Sequence, residues 1–494
     1  MKHLSLDLDR VELLHRRTKI VATLGPASSS EEKLAQLIEA GVNVFRLNFS
    51  HGDHDSHGVT YGRVRKVAAE LGKQIAVLAD LCGPKIRVGC FENGGIELVA
   101  GELVTVTMKE GLGKPGLIPS EYRELASDAQ IGDRILLDDG RLEILVEGRS
   151  TSELSCRVVH GGELTDRKGM NLPEVKISAP SLTPKDRIDA RFAANLGVDY
   201  MALSFVRRAR DVHYLKAILD ELKRPIPVIA KIEKPEAVQN IGGIIEAADG
   251  IMIARGDLGV EMPPQEVPLI QQELIRRAVR VNRPVIVATQ MLESMIHSPR
   301  PTRAEVTDVA WAAIAGADAV MLSGETAAGN YPVEAVQTMD RTLRLVEGYQ
   351  WRHGQFGKLV DHAKPPDENV HGAGLTEEAL GRAMAQLSRD LKVRAVVVPT
   401  QSGRTARIAS GQRPSAPIIA ITHEPEVCRL LSLWWGITTV LVPVEELANP
   451  PRLAREMADK LNLADPHDHV ILMWNPTHGH DARDKALTVS VLRV

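Results

Sequence analysis

A chain of 494 residues is too long for one ordinary domain, and length alone suggests about three. A net charge of -4 gives no reason to expect a polyanionic partner, and 3% aromatics leave few platforms for stacking bases, so nucleic-acid binding is set aside. No stretch reaches the ~18 apolar residues of a membrane span, and four cysteines without a Cys-x-x-Cys pair favour a reducing compartment, so a cytoplasmic protein is the expectation.

Residues 1–17 read as an N-terminal leader helix, alternating charge with leucine and lacking an apolar core of signal-peptide length. Residues 19–26 form a buried strand ending in a Gly-Pro turn. Ser29 and Glu32 have the spacing of a capping box for a helix ending at Gly41. A strand over 42–50, a helix over 53–71 and a strand over 75–80 follow. This alternation argues for a parallel α/β architecture.

From 88 to 177 the helical period disappears, and short β-rich runs are separated by Gly and Asp turns such as Asp138-Asp-Gly140. The segment reads as a small β-barrel inserted after a strand, where a lid belongs. Alternation resumes at Thr183-Pro184, a helix start, with strands at 199–204, 227–231, 250–254, 284–289 and 318–322. Thr302 and Glu305 make another capping box. Eight βα units over 18–87 and 178–350 predict a (β/α)8 TIM barrel. A linker spans 351–374. Residues 375–494 read as a C-terminal doubly wound α/β domain.

Active sites of such barrels lie at the C-terminal strand ends. Those ends deliver Gly25-Pro26; Arg46, Asn48 and Ser50; Asp80; Ser204; Lys231 with Glu233; Arg255 with Asp257; Thr289 with Gln290; and Ser323 with Glu325. In an extended backbone, residues two apart share a face. Lys231/Glu233 and Arg255/Asp257 are therefore each expected to present a cation and an anion together. Two such carboxylates can hold Mg²⁺, and the cations suit a phosphorylated ligand. An ion-pair ring capping the core explains either pair alone, but it has to recur at nearly every strand to explain the whole rim.

In the C-terminal domain, the strand-to-helix turn Thr400-Gln-Ser-Gly-Arg-Thr405 offers hydroxyls, backbone N–H groups and Arg404 to a phosphate. An ordinary capped turn fits it equally well. His51, His54 and His57 lie near Asp53 and Asp55, but acids at a helix start have their own reason, so zinc is not the expected reading. The pair His478 and His480 is read the same way. Cys82 reads as a small hydrophobe rather than a redox-sensitive thiol.

The segments 18–28, 43–52 and 80–87, with Ile229-Ala-Lys-Ile-Glu-Lys234, Ile253-Ala-Arg-Gly-Asp-Leu-Gly-Val-Glu261, Ala288-Thr-Gln-Met-Leu-Glu-Ser-Met295 and Met321-Leu-Ser-Gly-Glu-Thr326, resemble the pyruvate kinase family. The resemblance covers leader, barrel and insertion, and is looser in the C-terminal domain. It implies phosphoryl transfer from phosphoenolpyruvate to ADP, giving pyruvate and ATP, in a homotetramer. Glu233 and Asp257 would ligate one Mg²⁺, and a second would arrive with ADP. The Gly256-Asp257 backbone would hold the substrate carboxylate. Lys231 would stabilise the phosphoryl group and the enolate oxygen. Arg46 and Arg87 would hold phosphoryl oxygens, and Thr289, with Ser323 nearby, would relay a proton to the enolate carbon through water. Pro26, Asn48, His51, Arg87 and Lys185 would contact the nucleotide.

The resemblance also puts a phosphorylated allosteric effector on Thr400, Ser402, Gly403, Arg404 and Thr405. The loop over 478–484 departs from the family pattern, which favours a monophosphate over a sugar bisphosphate. Many members need K⁺ held by groups matching Asn48, Ser50, Asp80 and the Leu81 carbonyl, and those members carry glutamate where Lys85 stands. The ammonium of Lys85 is expected to replace K⁺. Two competing readings are a Mg²⁺-dependent lyase acting on pyruvate-like enolates and a non-catalytic metabolite sensor. The inserted lid and Lys185 favour a nucleotide substrate, and no rim group is missing.

Overall fold

The computed structural model describes residues 13, 15–173, 175–356, 373–475 and 487–494. Most of the expected leader helix, linker residues 357–372, and the 478–484 loop with His478 and His480 lie outside the described residues.

Eight parallel strands close into a barrel: Lys19–Thr23, Val44–Asn48, Ala76–Asp80, Tyr200–Leu203, Val228–Ile232, Gly250–Ala254, Val285–Ala288 and Ala319–Leu322. Each pairs with its neighbours in chain order, and the first closes on the last through Lys19 opposite Ala319. The strands are short apolar runs without polar alternation because both faces are covered, by the barrel interior and by the outer helices. Caps set the helix starts. Thr183 opens the helix Pro184–Leu196 and Thr302 opens Arg303–Ala315, each through a reciprocal capping box. The first barrel helix, Glu31–Ala40, is capped by Ser30, whose side chain accepts from the Lys33 N–H, rather than by Ser29. Gly41 ends it at φ 117°, a conformation that suits glycine.

One expected strand end is helical instead. The sixth strand stops at Ala254, and residues Arg255–Glu261 form a short α-helix. The two-residue spacing of Arg255 and Asp257 therefore does not put them on one face. Successive helical residues turn by about 100°, which separates these two side chains.

The insertion contains a six-stranded sheet, in the order Met170–Asn171, Arg134–Leu137, Leu142–Arg149, Glu153–His160, Leu103–Thr107 and Leu117–Pro119, and a ribbon of Gly95–Leu98 with Gly162–Thr165. The two share one core that includes Ile96, Leu164, Val106 and Ile144. Residues 86–89 complete the ring of the expected small barrel: Met170 N–H donates to the Ile86 carbonyl and Val88 N–H to the Lys168 carbonyl on one edge, while Gly89 N–H donates to the Pro119 carbonyl and Glu121 N–H to the Arg87 carbonyl on the other. Pro119, at the end of the last strand, has no N–H to give and joins this pairing through its carbonyl.

In the C-terminal sheet, Ile437–Leu441, Ile418–Thr422, Ala395–Pro399 and His469–Trp474 run parallel, and Thr488–Arg493 joins antiparallel at the edge. This domain docks under the barrel, against the N-terminal strand ends. Arg413 pairs with Asp318 at 3.0 Å, with both side chains buried. Trp435 N–H donates to the same aspartate, Gly436 N–H to the Arg17 carbonyl, and Ser432 Oγ to the Gln74 carbonyl. The opposite face, with the strand C-termini, is left to the lid.

Candidate active site

The centre of the upper rim is a buried charge network. Lys231, on the fifth strand, has Nζ 2.7 Å from Ser204 Oγ, 2.9 Å from Glu233 Oε1 and 3.4 Å from Asp80 Oδ1. Asp80 ends the third strand and also accepts from Arg46 Nε at 2.6 Å. Arg46 Nη1 donates to Thr23 Oγ1 on the first strand. Five strands or strand ends thus converge on two cations and two carboxylates. Burial opposes the charge on Lys231, yet Asp80 and Glu233 hold its pKa above the ordinary lysine value. Burial likewise opposes ionisation of Asp80, but Lys231 and Arg46 pull its pKa down. At Glu233 burial wins. Lys231 lowers its pKa and the Asp257 charge raises it, and the net direction is upward.

The Glu233 carboxylate is 1% exposed and also accepts from the Phe205 N–H at 2.8 Å. Among the described residues no three His, Cys, Asp or Glu side chains gather as a complete protein-built metal cage. Two neighbouring carboxylates, one of them buried against its own charge, fit Mg²⁺, which keeps water and substrate oxygens as its other ligands.

Thr289 and Gln290 follow the seventh strand at φ 66° and 55°, a left-handed pair that non-glycine residues rarely adopt. Arg255 holds them there by donating from Nη2 to both carbonyls. Its Nη1 pairs with Asp308 at 2.6 Å. Arg255 is therefore a brace beneath the rim rather than a ligand-facing cation. The strained turn brings Thr289 Oγ1 to 2.7 Å from the Gly256 N–H, which donates to it. Ser323 Oγ is buried without a partner, while its N–H donates to the buried Glu325 carboxylate. Burial raises the Glu325 pKa.

The outer residues sit as follows. Pro26 and His51 are exposed on the rim. Burial, then the Arg87, Lys85 and Arg46 charges, lowers the His51 pKa. Lys185 Nζ bonds the Phe49 carbonyl at 2.8 Å and Asp189 at 2.6 Å. Asn48 accepts from the Ser50 N–H. Arg87 stands at the lid entrance and donates to the Arg167 carbonyl. Lys85 is exposed and lines a cleft with Asp257, Lys234, Asn171 and Arg207. The ion-pair partners of Asp80 are Arg46 and Lys231.

Sequence reasoning missed Thr23, which steers Arg46, and Lys234 and Arg207 in the cleft. Lys234 directly follows Glu233, and that adjacency was the available signal. His54 stacks on Phe192 and His57 on Phe49, so these rings are packing elements. Cys82 is half-buried rather than fully buried. In the C-terminal turn, Gly403 is left-handed at φ 78° and its N–H donates to Thr400 Oγ1. Arg404 pairs with Glu377 at 2.7 Å and is largely exposed, while Thr405 follows it in the helix Arg404–Gly411.

Residues 15–336 match the family model described as "Pyruvate kinase, barrel domain", and residues 378–484 match "Pyruvate kinase, alpha/beta domain". The chain belongs to the pyruvate kinase family. It is 47% identical over 434 residues to a pyruvate kinase of Geobacillus stearothermophilus, covering 87% of this chain and 72% of that one. It is 45% identical over 428 residues to one from Mycobacterium tuberculosis, covering 87% and 88% respectively. A crystal structure of a pyruvate kinase from Cryptosporidium parvum superposes with a TM-score of 0.86 at 36% identity, covering 97% of this chain and 96% of that one. The chain is thus an enzyme of the pyruvate kinase class, with the barrel, lid and C-terminal domain in place. No helix among the described residues is long and apolar enough to cross a membrane.

Proposed function

We propose that this enzyme transfers the phosphoryl group of phosphoenolpyruvate to ADP, giving pyruvate and ATP, with Mg²⁺ required and K⁺ not. The observation that supports this most directly is Lys231, a buried cation held between Asp80, Glu233 and Ser204 with Arg46 beyond. Phosphoryl transfer asks a protein mainly for positioning and for charge around the moving group. Lys231 and Arg46 supply that charge from fixed positions, so little reorganisation is needed during reaction. Mg²⁺ bound by Glu233 and Asp257 would neutralise the carboxylate and phosphate of the substrate. Gly256 N–H would exchange its bond to Thr289 Oγ1 for one to the substrate carboxylate. That exchange frees a lone pair of Thr289 Oγ1 to accept from water, and the hydroxyl proton, which is donated to the Ala288 carbonyl at 2.6 Å, would turn from it to pass, through water, to the enolate carbon, with Ser323 beside it. Pro26, Asn48, His51, Arg87 and Lys185 would receive the nucleotide under the lid.

Lys85 would bring to the phosphate the positive charge that K⁺ brings in other members. Its exposure leaves the ammonium free to reach the cleft. The turn 400–405 would bind a phosphorylated monoester as allosteric effector, with Arg404 exchanging Glu377 for the phosphate. A homotetramer in the cytoplasm is the expected working form. ADP-dependent pyruvate formation from phosphoenolpyruvate, followed through a coupled hydride-transfer enzyme, tests the reading. Pyruvate release without ADP would favour the lyase, and no turnover at all would favour a sensor.

A further inference from the structure

The lid meets the barrel rim at one short helix, and one buried carboxylate in that helix joins three separate elements. Glu261 closes the helix Arg255–Glu261, whose first turn carries Gly256 and Asp257. Its Oε1 accepts from Lys234 Nζ at 2.5 Å and from Asn171 Nδ2 at 3.0 Å. Lys234 is the residue after Glu233. Asn171 belongs to the lid, in the strand Met170–Asn171 paired with Arg134–Leu137. The lid touches the same helix again where the Asp138–Gly140 turn approaches Val260, since a Cβ built on Gly140 would lie 3.6 Å from Val260 Cγ1. The return crossing of the lid is fixed separately. Arg207 donates to the Ile177 and Ala179 carbonyls, and Ser181 Oγ donates to the Phe205 carbonyl. Beyond that pivot, Asn171 is a polar bridge from lid to helix.

Glu261 is itself 5% exposed, and its Oε2 is buried with no partner. A half-satisfied buried carboxylate depends strongly on the donors it keeps. If the lid lifts, Asn171 leaves and Glu261 retains Lys234 alone. We infer that Glu261 is a positioning residue that couples lid closure to the metal-binding pair, because its partners are the lid, the segment carrying Glu233 and the helix carrying Asp257. Closing the lid over the nucleotide then fixes the spacing of Glu233 and Asp257, and the bound metal favours the closed lid in return, as linkage requires. The inference rests on the proposed assignment of Glu233 and Asp257 to the metal.

The test uses the full-length protein with Mn²⁺ as a paramagnetic probe, in the presence of phosphoenolpyruvate, with affinity read by water-proton relaxation. Hydrogen exchange of residues 134–146 and 162–171 reports the lid. Asn171→Ala should weaken Mn²⁺ binding by about fivefold or more and speed lid exchange, although Asn171 is not a metal ligand. Asn171→Asp should weaken it further by opposing two carboxylates, and adding Glu261→Gln should restore most of the loss by exchanging donor and acceptor. Lys109→Ala, which breaks an exposed pair elsewhere in the lid, should leave Mn²⁺ affinity unchanged. Thermal midpoints show whether each variant is folded, and the rescue arm distinguishes a broken latch from a damaged lid. Unchanged Mn²⁺ affinity in folded Asn171→Ala, or purely additive losses in the double variant, would overturn the latch. If Glu233→Ala binds Mn²⁺ as tightly as the unmodified enzyme, the metal assignment fails instead.

Discussion

Replacing Lys231 with methionine should separate catalysis from binding and expose the cost of the site. The substitution keeps the length and apolar stem of the side chain but removes the cation that Asp80, Glu233 and Ser204 surround. Asp80 keeps Arg46 at 2.6 Å. Glu233 keeps only the Phe205 N–H, so an almost fully buried carboxylate loses its counter-charge. Breaking a buried pair by removing one partner costs about 3–5 kcal/mol. That figure applies without Mg²⁺. With Mg²⁺ and substrate present the carboxylate regains a cation, and part of the loss should return. On the kinetic side, removing one preorganised group that faces transition-state charge typically lowers kcat by ~10²–10³. Affinity for phosphoenolpyruvate should change little, because Arg46 and the Gly256 N–H remain. The assays are urea unfolding with EDTA and with Mg²⁺, alongside steady-state kinetics. A variant impaired only in KM, or one as stable as the parent in EDTA, would refute the reasoning.

Glu233→Ala should abolish Mg²⁺-supported turnover while circular dichroism stays native, and near-normal turnover at ordinary Mg²⁺ would remove it from the metal site. In K⁺-free buffer with a bulky organic cation the enzyme should keep most of its activity, whereas Lys85→Glu should become K⁺-dependent; strong K⁺ activation of the unmodified enzyme would contradict this. Arg404→Ala should abolish any shift that a sugar monophosphate or nucleotide causes in the phosphoenolpyruvate saturation curve, and an unchanged shift would move the effector elsewhere. Lys19 is buried under the barrel with Nζ on the Ile437 carbonyl, and burial lowers its pKa from the ordinary value to about 7. Between that pH and the ordinary lysine range the unfolded chain binds the extra proton, so stability should rise with pH there, by about 1.4 kcal/mol per unit from this residue. Lys19→Met should flatten that slope in the thermal midpoint, and an unaltered slope would assign it to other groups.

The sequence by itself determined the eight strand-helix units, because strands buried on both faces read as continuous apolar runs and helix starts carry their own caps at Thr183 and Thr302. It also located the strand ends, which fall where the apolar runs stop, and so the segments from which rim residues come. The tertiary structure decided how those residues pair. Asp80, Lys231 and Arg46 come from three strands, and only closure of the barrel shows that one carboxylate serves two cations. It decided that Arg255 braces from below, because Ala254 ends the strand and the next residue begins a helix. It decided the left-handed turn at Thr289, which no local preference favours and which Arg255 holds from the start of the helix after the neighbouring strand. It also decided how residues 86–89 complete the ring of the lid, and the bridge from Asn171 to Glu261. Periodicity and capping are local and survive in the order of residues, whereas a buried charge network depends on chain segments far apart in sequence whose relative placement only packing supplies.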